Sequence, residues 1–109
     1  MHRSYETRVV KPEFAPYNLA ISDFALENLA DMPEDQAARV IELLERVALT
    51  GVGSIEWLEG YRLFRVKIPP FRAICDVEQR ELIVLLIEAR DQVYSKKTMK
   101  RLKPYRRKS

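Results

Sequence analysis

The side chains able to do chemistry in this sequence are its lysines, arginines, tyrosines and carboxylates, and of these Arg65, Lys67, Arg72, Arg90 and Tyr94 fall within or just after the β-prone runs of residues 61–94. Histidine and thiol chemistry have little to stand on. The single histidine, His2, lies at a terminus expected to fray, and the single cysteine, Cys75, sits at an inward position of an apolar run, where it reads as a small core residue. Serine–histidine, cysteine–histidine and histidine-metal sites therefore have no support, and one cysteine makes neither a zinc cluster nor an internal disulfide. Gly51, Gly53 and Gly60 are the only glycines and match no phosphate-binding loop. Catalysis, if present, has to use Lys, Arg, Tyr or carboxylates, and no metal or other cofactor is expected.

The elements that position these residues lie between Tyr61 and Tyr94. Three β-prone apolar runs stand end to end there, separated by Pro69-Pro70 and by the polar patch Glu78-Gln79-Arg80-Glu81, which predicts an antiparallel three-stranded meander. In the first run Phe64, Val66 and Ile68 take one face and Arg65 and Lys67 the other, because side chains alternate along a strand. In the second, Phe71, Ala73, Cys75 and Val77 oppose Arg72, Ile74 and Asp76. Strand parity thus places Arg65, Lys67 and Arg72 on one polar surface. Leu82 to Ile87 is apolar on both faces, as suits a central strand covered on both sides, and polar groups return at Glu88, Arg90 and Tyr94 where it leaves the core.

Upstream, Tyr17–Ile21 predicts a short strand, and Ser22 caps a short amphipathic helix carrying Ala25, Leu26, Leu29 and Met32. Pro33, Glu34 and Asp35 open a second helix running to about Leu49, with Ala37, Val40, Ile41, Leu44, Val47 and Ala48 on its buried stripe and Thr50-Gly51 ending it. The segment Gly51–Gly60 reads as a connection whose Trp57 packs beneath it against the sheet or the hairpin. The order β-α-α-β-β-β defines an α+β fold, an antiparallel sheet against a helical hairpin. A short basic C-terminal helix up to Lys103 ends at Pro104.

With 109 residues and 47% hydrophobic composition, the chain supports one domain and one core. Its longest apolar run, Leu82–Ile87, is far short of the about 20 residues of a membrane-spanning helix. No membrane association is expected, and the charged start without an apolar stretch predicts a cytoplasmic protein. The net charge of +3 conceals a division: residues 95–109 carry eight basic residues and no acid, leaving the first 94 with 11 basic against 16 acidic. This basic element, with Lys96, Lys97, Lys100 and Arg101 as candidate nucleic-acid contacts, suits a polyanion, an acidic partner or the acidic outer surface of the chain's own helices, and reads equally as a solvated basic tail.

A helical hairpin followed by Tyr61-Arg62-Leu63-Phe64-Arg65-Val66, then Phe71-Arg72-Ala73-Ile74, then Ala89-Arg90-Asp91-Gln92-Val93-Tyr94, resembles the RelE/ParE superfamily of bacterial and archaeal toxins. The likeness spans roughly residues 17–103, with 1–16 as an N-terminal arm and 104–109 as a basic tail. It implies a RelE-like fold and the toxin of a type II toxin–antitoxin pair, neutralised by a cognate antitoxin. RelE-like members cleave mRNA on the ribosome by attack of a ribose 2′-hydroxyl on its own phosphate. Carried over, Lys67 falls on one lysine position of the first meander strand, Arg65 replaces the other, Arg72 matches the second-strand arginine, and Arg90 and Tyr94 match the closing motif. Lys67 or Arg65 then assists deprotonation, Arg72 and Arg90 stabilise phosphate charge, and Tyr94 positions the nucleotide.

Three departures separate this chain from the RelE-like pattern: Glu88 where a cation is frequent, Ala89 where relatives carry histidine, and Pro69-Pro70 in place of a glycine-containing turn. Glu88 either orients Arg72 or Arg90 or acts as a base. The alternatives are a ParE-like protein that inhibits DNA gyrase without nuclease residues, and a degenerate member that retains only binding.

Overall fold

A computed structural model describes residues 14–89 and 96–106. The expected arm falls outside these residues except for Phe14, Ala15 and Pro16, and Arg90, Tyr94 and residues 107–109 also lie outside them.

The elements run β1 (Asn18–Ile21), α1 (Asp23–Ala30), α2 (Glu34–Thr50), β2 (Ile55–Trp57), β3 (Phe64–Ile68), β4 (Phe71–Glu78), β5 (Glu81–Ala89) and α3 (Lys96–Leu102), then a 3-10 turn at Lys103–Tyr105. The strands form one sheet in the order β1-β5-β4-β3-β2, and among the described residues only the β1–β5 pair is parallel. This is the expected α+β fold with one strand added. The connection read as a loop contains β2, whose residues pair antiparallel with β3 as Ile55↔Val66, Glu56↔Arg65 and Trp57↔Phe64. At three residues, flanked by Gly53 and Gly60, it is too short to leave a periodic signal. Trp57 consequently stands on an edge strand, 40% exposed, rather than beneath a loop.

Local chemistry fixes the helices. Ser22 Oγ accepts a hydrogen bond from Ala25 N–H at 3.0 Å, capping α1, and donates to Leu85 O at 2.8 Å, tying that cap to the sheet. Pro33 precedes α2, with Glu34 and Asp35 in its first turn. Gly51, at φ 75°, ends that helix in the left-handed conformation and donates to Val47 O.

Two apolar layers sandwich the sheet. On one side, Ala25 and Leu29 of α1 and Val40, Leu44, Val47 and Ala48 of α2 pack on Phe64, Val66, Ile68, Ala73, Cys75, Leu82, Val84 and Ile87. On the other, Leu102 of α3 closes a smaller cluster of Leu58, Leu63, Ile74 and Leu86. A register shift changes which residues of β5 face each layer. Ile74 pairs with Leu86 and Cys75 with Val84, so Leu85 is an extra residue that reverses the parity of β5. Val84 therefore joins the first layer and Leu86 the second, although both are even-numbered positions of one strand.

Candidate functional site

The polar surface predicted from parity is present on the α3 side of the sheet. Lys67 of β3 is the register partner of Arg72 of β4, Arg72 is the register partner of Glu88 of β5, and Arg65 shares the face of Lys67 by alternation. Three of the five expected site residues are thus brought together. Arg90 and Tyr94 lie outside the described residues.

Glu56, supplied by β2, organises the row. Its Oε1 accepts from Arg65 Nε at 2.9 Å and from the same guanidinium's terminal nitrogen at 2.7 Å, while Oε2 accepts from Lys67 Nζ at 3.0 Å. Hydrogen bonds from Arg65 and then Lys67 hold the Glu56 carboxyl below the usual carboxylate range. With side-chain exposures of 22% for Arg65, 27% for Glu56 and 34% for Lys67 the cluster is partly shielded, and its charge-assisted bonds fix both cations in orientation. Reading the sequence missed this residue because it missed β2; the available signal was Ile55-Glu56-Trp57, an apolar–polar–apolar triplet between glycines.

A second missed residue is Thr98. It is buried in α3 and its Oγ1 donates to Glu88 Oε1 at 2.6 Å, so Glu88 is held by α3 from above while it flanks Arg72 along the sheet. Of the two roles open to Glu88, orienting Arg72 fits this register, whereas its Thr98 bond already occupies one oxygen. From Glu56 to Glu88 the face runs as a band of charge, with two carboxylates bracketing three cations.

A buried carboxylate with an exposed arginine partner braces the same side. Asp76 is 6% exposed and meets Arg62 at 3.5 Å. Burial pushes its carboxyl above the ordinary range and Arg62 pulls part of that back. The Arg62 guanidinium also lies 5.2 Å from the centroid of the Tyr105 ring. Cys75 is fully buried and its thiol is pushed up by desolvation, which makes it the inert core residue its position predicted. No group of three or more metal-ligating side chains occurs among the described residues.

The candidate nucleic-acid contacts divide by helix face. Lys96, Lys97, Lys100 and Arg101 are all exposed on α3, whose Thr98 and Leu102 point inward. Lys96 and Lys100 share one flank, whereas Arg101 turns the other way and places its guanidinium 3.7 Å from the centroid of the Phe24 ring.

Helical hairpin, five-stranded sheet and a C-terminal helix over the polar face together define the RelE-like fold, and this chain has it. It superposes on a mutant of the Escherichia coli toxin RelE in the free state with a TM-score of 0.66 at 10% identity, covering 83% of this chain and 97% of that one. The archaeal RelE–RelB complex from Pyrococcus horikoshii gives 0.60 at 20% identity, with 70% and 97% covered. The RelBE2 toxin–antitoxin complex from Mycobacterium tuberculosis gives 0.60 at 18%, with 70% and 93% covered. At these identities what is shared is the fold. No known family model and no curated protein sequence matches the chain.

Proposed function

We propose that this chain is the toxin of a type II toxin–antitoxin pair and acts as a RelE-like, ribosome-dependent endonuclease on mRNA. The observation that carries the reading is the register pairing of Lys67 with Arg72, with Arg65 on the same face. Like charges placed directly opposite each other cost stability in a sheet, so a site that gathers them is suited to an anion. In-line attack by a ribose 2′-hydroxyl on the adjacent phosphate forms a cyclic phosphate and expels the 5′-oxygen. That step needs the hydroxyl proton removed, the phosphorane charge stabilised and a proton returned to the leaving oxygen. Here Arg72 and Arg90 take the phosphate charge, Lys67 or Arg65, both oriented by Glu56, assists deprotonation, and Tyr94 positions the nucleotide. A cognate antitoxin, the ribosome and mRNA are the partners in this reading, and the cytoplasm is its place of action. The fold shared with the RelE structures supports it.

A second reading is favoured by the two carboxylates. Glu56 and Glu88 bracket the cations and repel a phosphate, which suits a ParE-like inhibitor of DNA gyrase or a binding module without nuclease activity. Inducible expression of the chain alone separates the readings. Growth arrest with new mRNA 5′ ends inside translated codons is the expected result. Arrest with intact mRNA and a DNA-damage response transfers the assignment to gyrase, and no arrest leaves a binding module.

A further inference from the structure

Beside the charged band, and on the opposite flank of α3 from Arg101, lies a second concave surface. Tyr61, Lys96, Met99, Lys100, Lys103 and Arg106 line a shallow, widely open cleft of about 530 Å³. Neither Arg65, Lys67 nor Arg72 belongs to its lining, and no carboxylate does among the described residues. Lys96 and Lys100 are one helical turn apart, about 6 Å along the axis, and Lys103 and Arg106 extend the cationic wall past the helix end.

The backbone that carries the walls is anchored before any ligand arrives. Leu102 is 1% exposed and anchors the end of α3, Thr98 ties its middle to Glu88, and Tyr61 forms an isolated antiparallel bridge with Arg106. Arg62 N–H donates to Tyr105 O at 3.2 Å beside that bridge. Tyr61 itself is half-buried against the Leu58–Leu63 cluster, so its ring is held as a floor rather than left as a swinging side chain.

We infer that this cleft is a second RNA site, binding a nucleotide of a single strand outside the reaction site. Its base lies against Tyr61 and Met99, and its flanking phosphates lie on Lys96, Lys100, Lys103 and Arg106. Cations that track a backbone combined with an aromatic face are the common design for single-stranded nucleic acid. An acidic peptide would use the same cations and leave the ring without a flat partner. The inference deepens the proposed function and rests on it only for the choice of RNA as target.

The test uses the full chain and a fluorescently labelled 2′-O-methyl oligoribonucleotide, which has no free hydroxyl to attack its own phosphate and so reports binding without cleavage. Replacing Lys96, Lys100 and Lys103 together by Ala is expected to weaken binding at least tenfold and to lower the slope of log affinity against log salt by about 2, at about 0.7 per phosphate contact. Tyr61→Phe is expected to keep the affinity, and Tyr61→Leu to lose about tenfold through stacking. Unaltered thermal melting of the exposed-lysine variant checks its fold. The inference is overturned if Lys97→Ala weakens binding as much as Lys100→Ala, which would mark a diffuse basic tail, or if a polyglutamate peptide competes as well as unlabelled RNA. Binding that follows the expected pattern in a protein that makes no cuts in cells would retain the cleft and remove only the nuclease reading.

Discussion

Lys67 and Arg72 face each other directly across the β3–β4 ladder, two cations at one register position, with Glu56 bonded to the first and Glu88 opposite the second. Each cation thus has a carboxylate on the strand beyond it, ion-paired in the case of Lys67 and its register partner in the case of Arg72.

Arg72→Ala is expected to reduce mRNA cutting by on the order of 100-fold or more, as loss of one transition-state charge partner does, with the circular dichroism spectrum unchanged. Lys67→Ala should act in the same direction. Full cleavage by the Arg72 variant would remove the phosphate role assigned to it.

Glu56 and Asp76 should affect acid stability with opposite signs. The folded-state value of Glu56 is depressed below 4.5, so its contribution is complete above 4.5 and is lost as pH falls through the folded value. Asp76 is raised above 3.8 by burial, so protonating it in the folded state relieves a cost as pH falls. Denaturant melts from neutral pH to about pH 3 should therefore show a shallower acid decline for Glu56→Gln and a steeper one for Asp76→Asn. The same slope in both variants would contradict these environments.

Ser22→Ala removes both a helix cap and a hydroxyl bond to Leu85 O. A loss of about 1–2 kcal/mol is expected from the cap and the freed carbonyl together, measured by urea unfolding. Ser22→Thr should recover part of it, since threonine retains the hydroxyl.

Gly53 and Gly60 should respond to alanine for different reasons. A Cβ at Gly53 would stand 2.7 Å from Val47 Cγ2, a buried side chain of α2, and a cost of about 1–3 kcal/mol is expected from overpacking. At Gly60 the space is open but φ is 85°, so the cost of about 1 kcal/mol is backbone strain alone. Val47→Ala should rescue Gly53→Ala and leave Gly60→Ala unaffected, as a double-mutant cycle will read.

Legibility followed the range over which each signal acts. The meander, both helices, the Ser22 cap and the Gly51 stop were readable because alternation, 3.6-residue spacing and capping chemistry are local, and strand parity alone put Arg65, Lys67 and Arg72 on one face. What escaped was non-local or aperiodic. Glu56 could not be assigned to the site while β2, only three residues long, read as a connection. No feature of the run Leu82–Ile87 marks Leu85 as the extra residue, since every neighbour is apolar, yet that residue decides which side Leu86 and Glu88 occupy. Thr98 gave no hint of burial from within a stretch of lysines and arginines; its role depends on a β5 carboxylate brought beneath it by the fold.

Pairing β1 in parallel with β5 also sets the order in which the protein can be completed during its synthesis. Leu19 cannot find Leu82, nor the Ser22 hydroxyl the Leu85 carbonyl 63 residues away, until nearly the whole domain has left the ribosome. Until then the first strand to emerge waits with its hydrogen-bonding edge open, and β5, with a neighbour on each side, is both the last strand made and the one that joins β1 to the meander. Unfinished chains that stop before β5 therefore lack Glu88 and the strand that joins β1 to the meander, and retain at most the β2–β3–β4 part of the sheet.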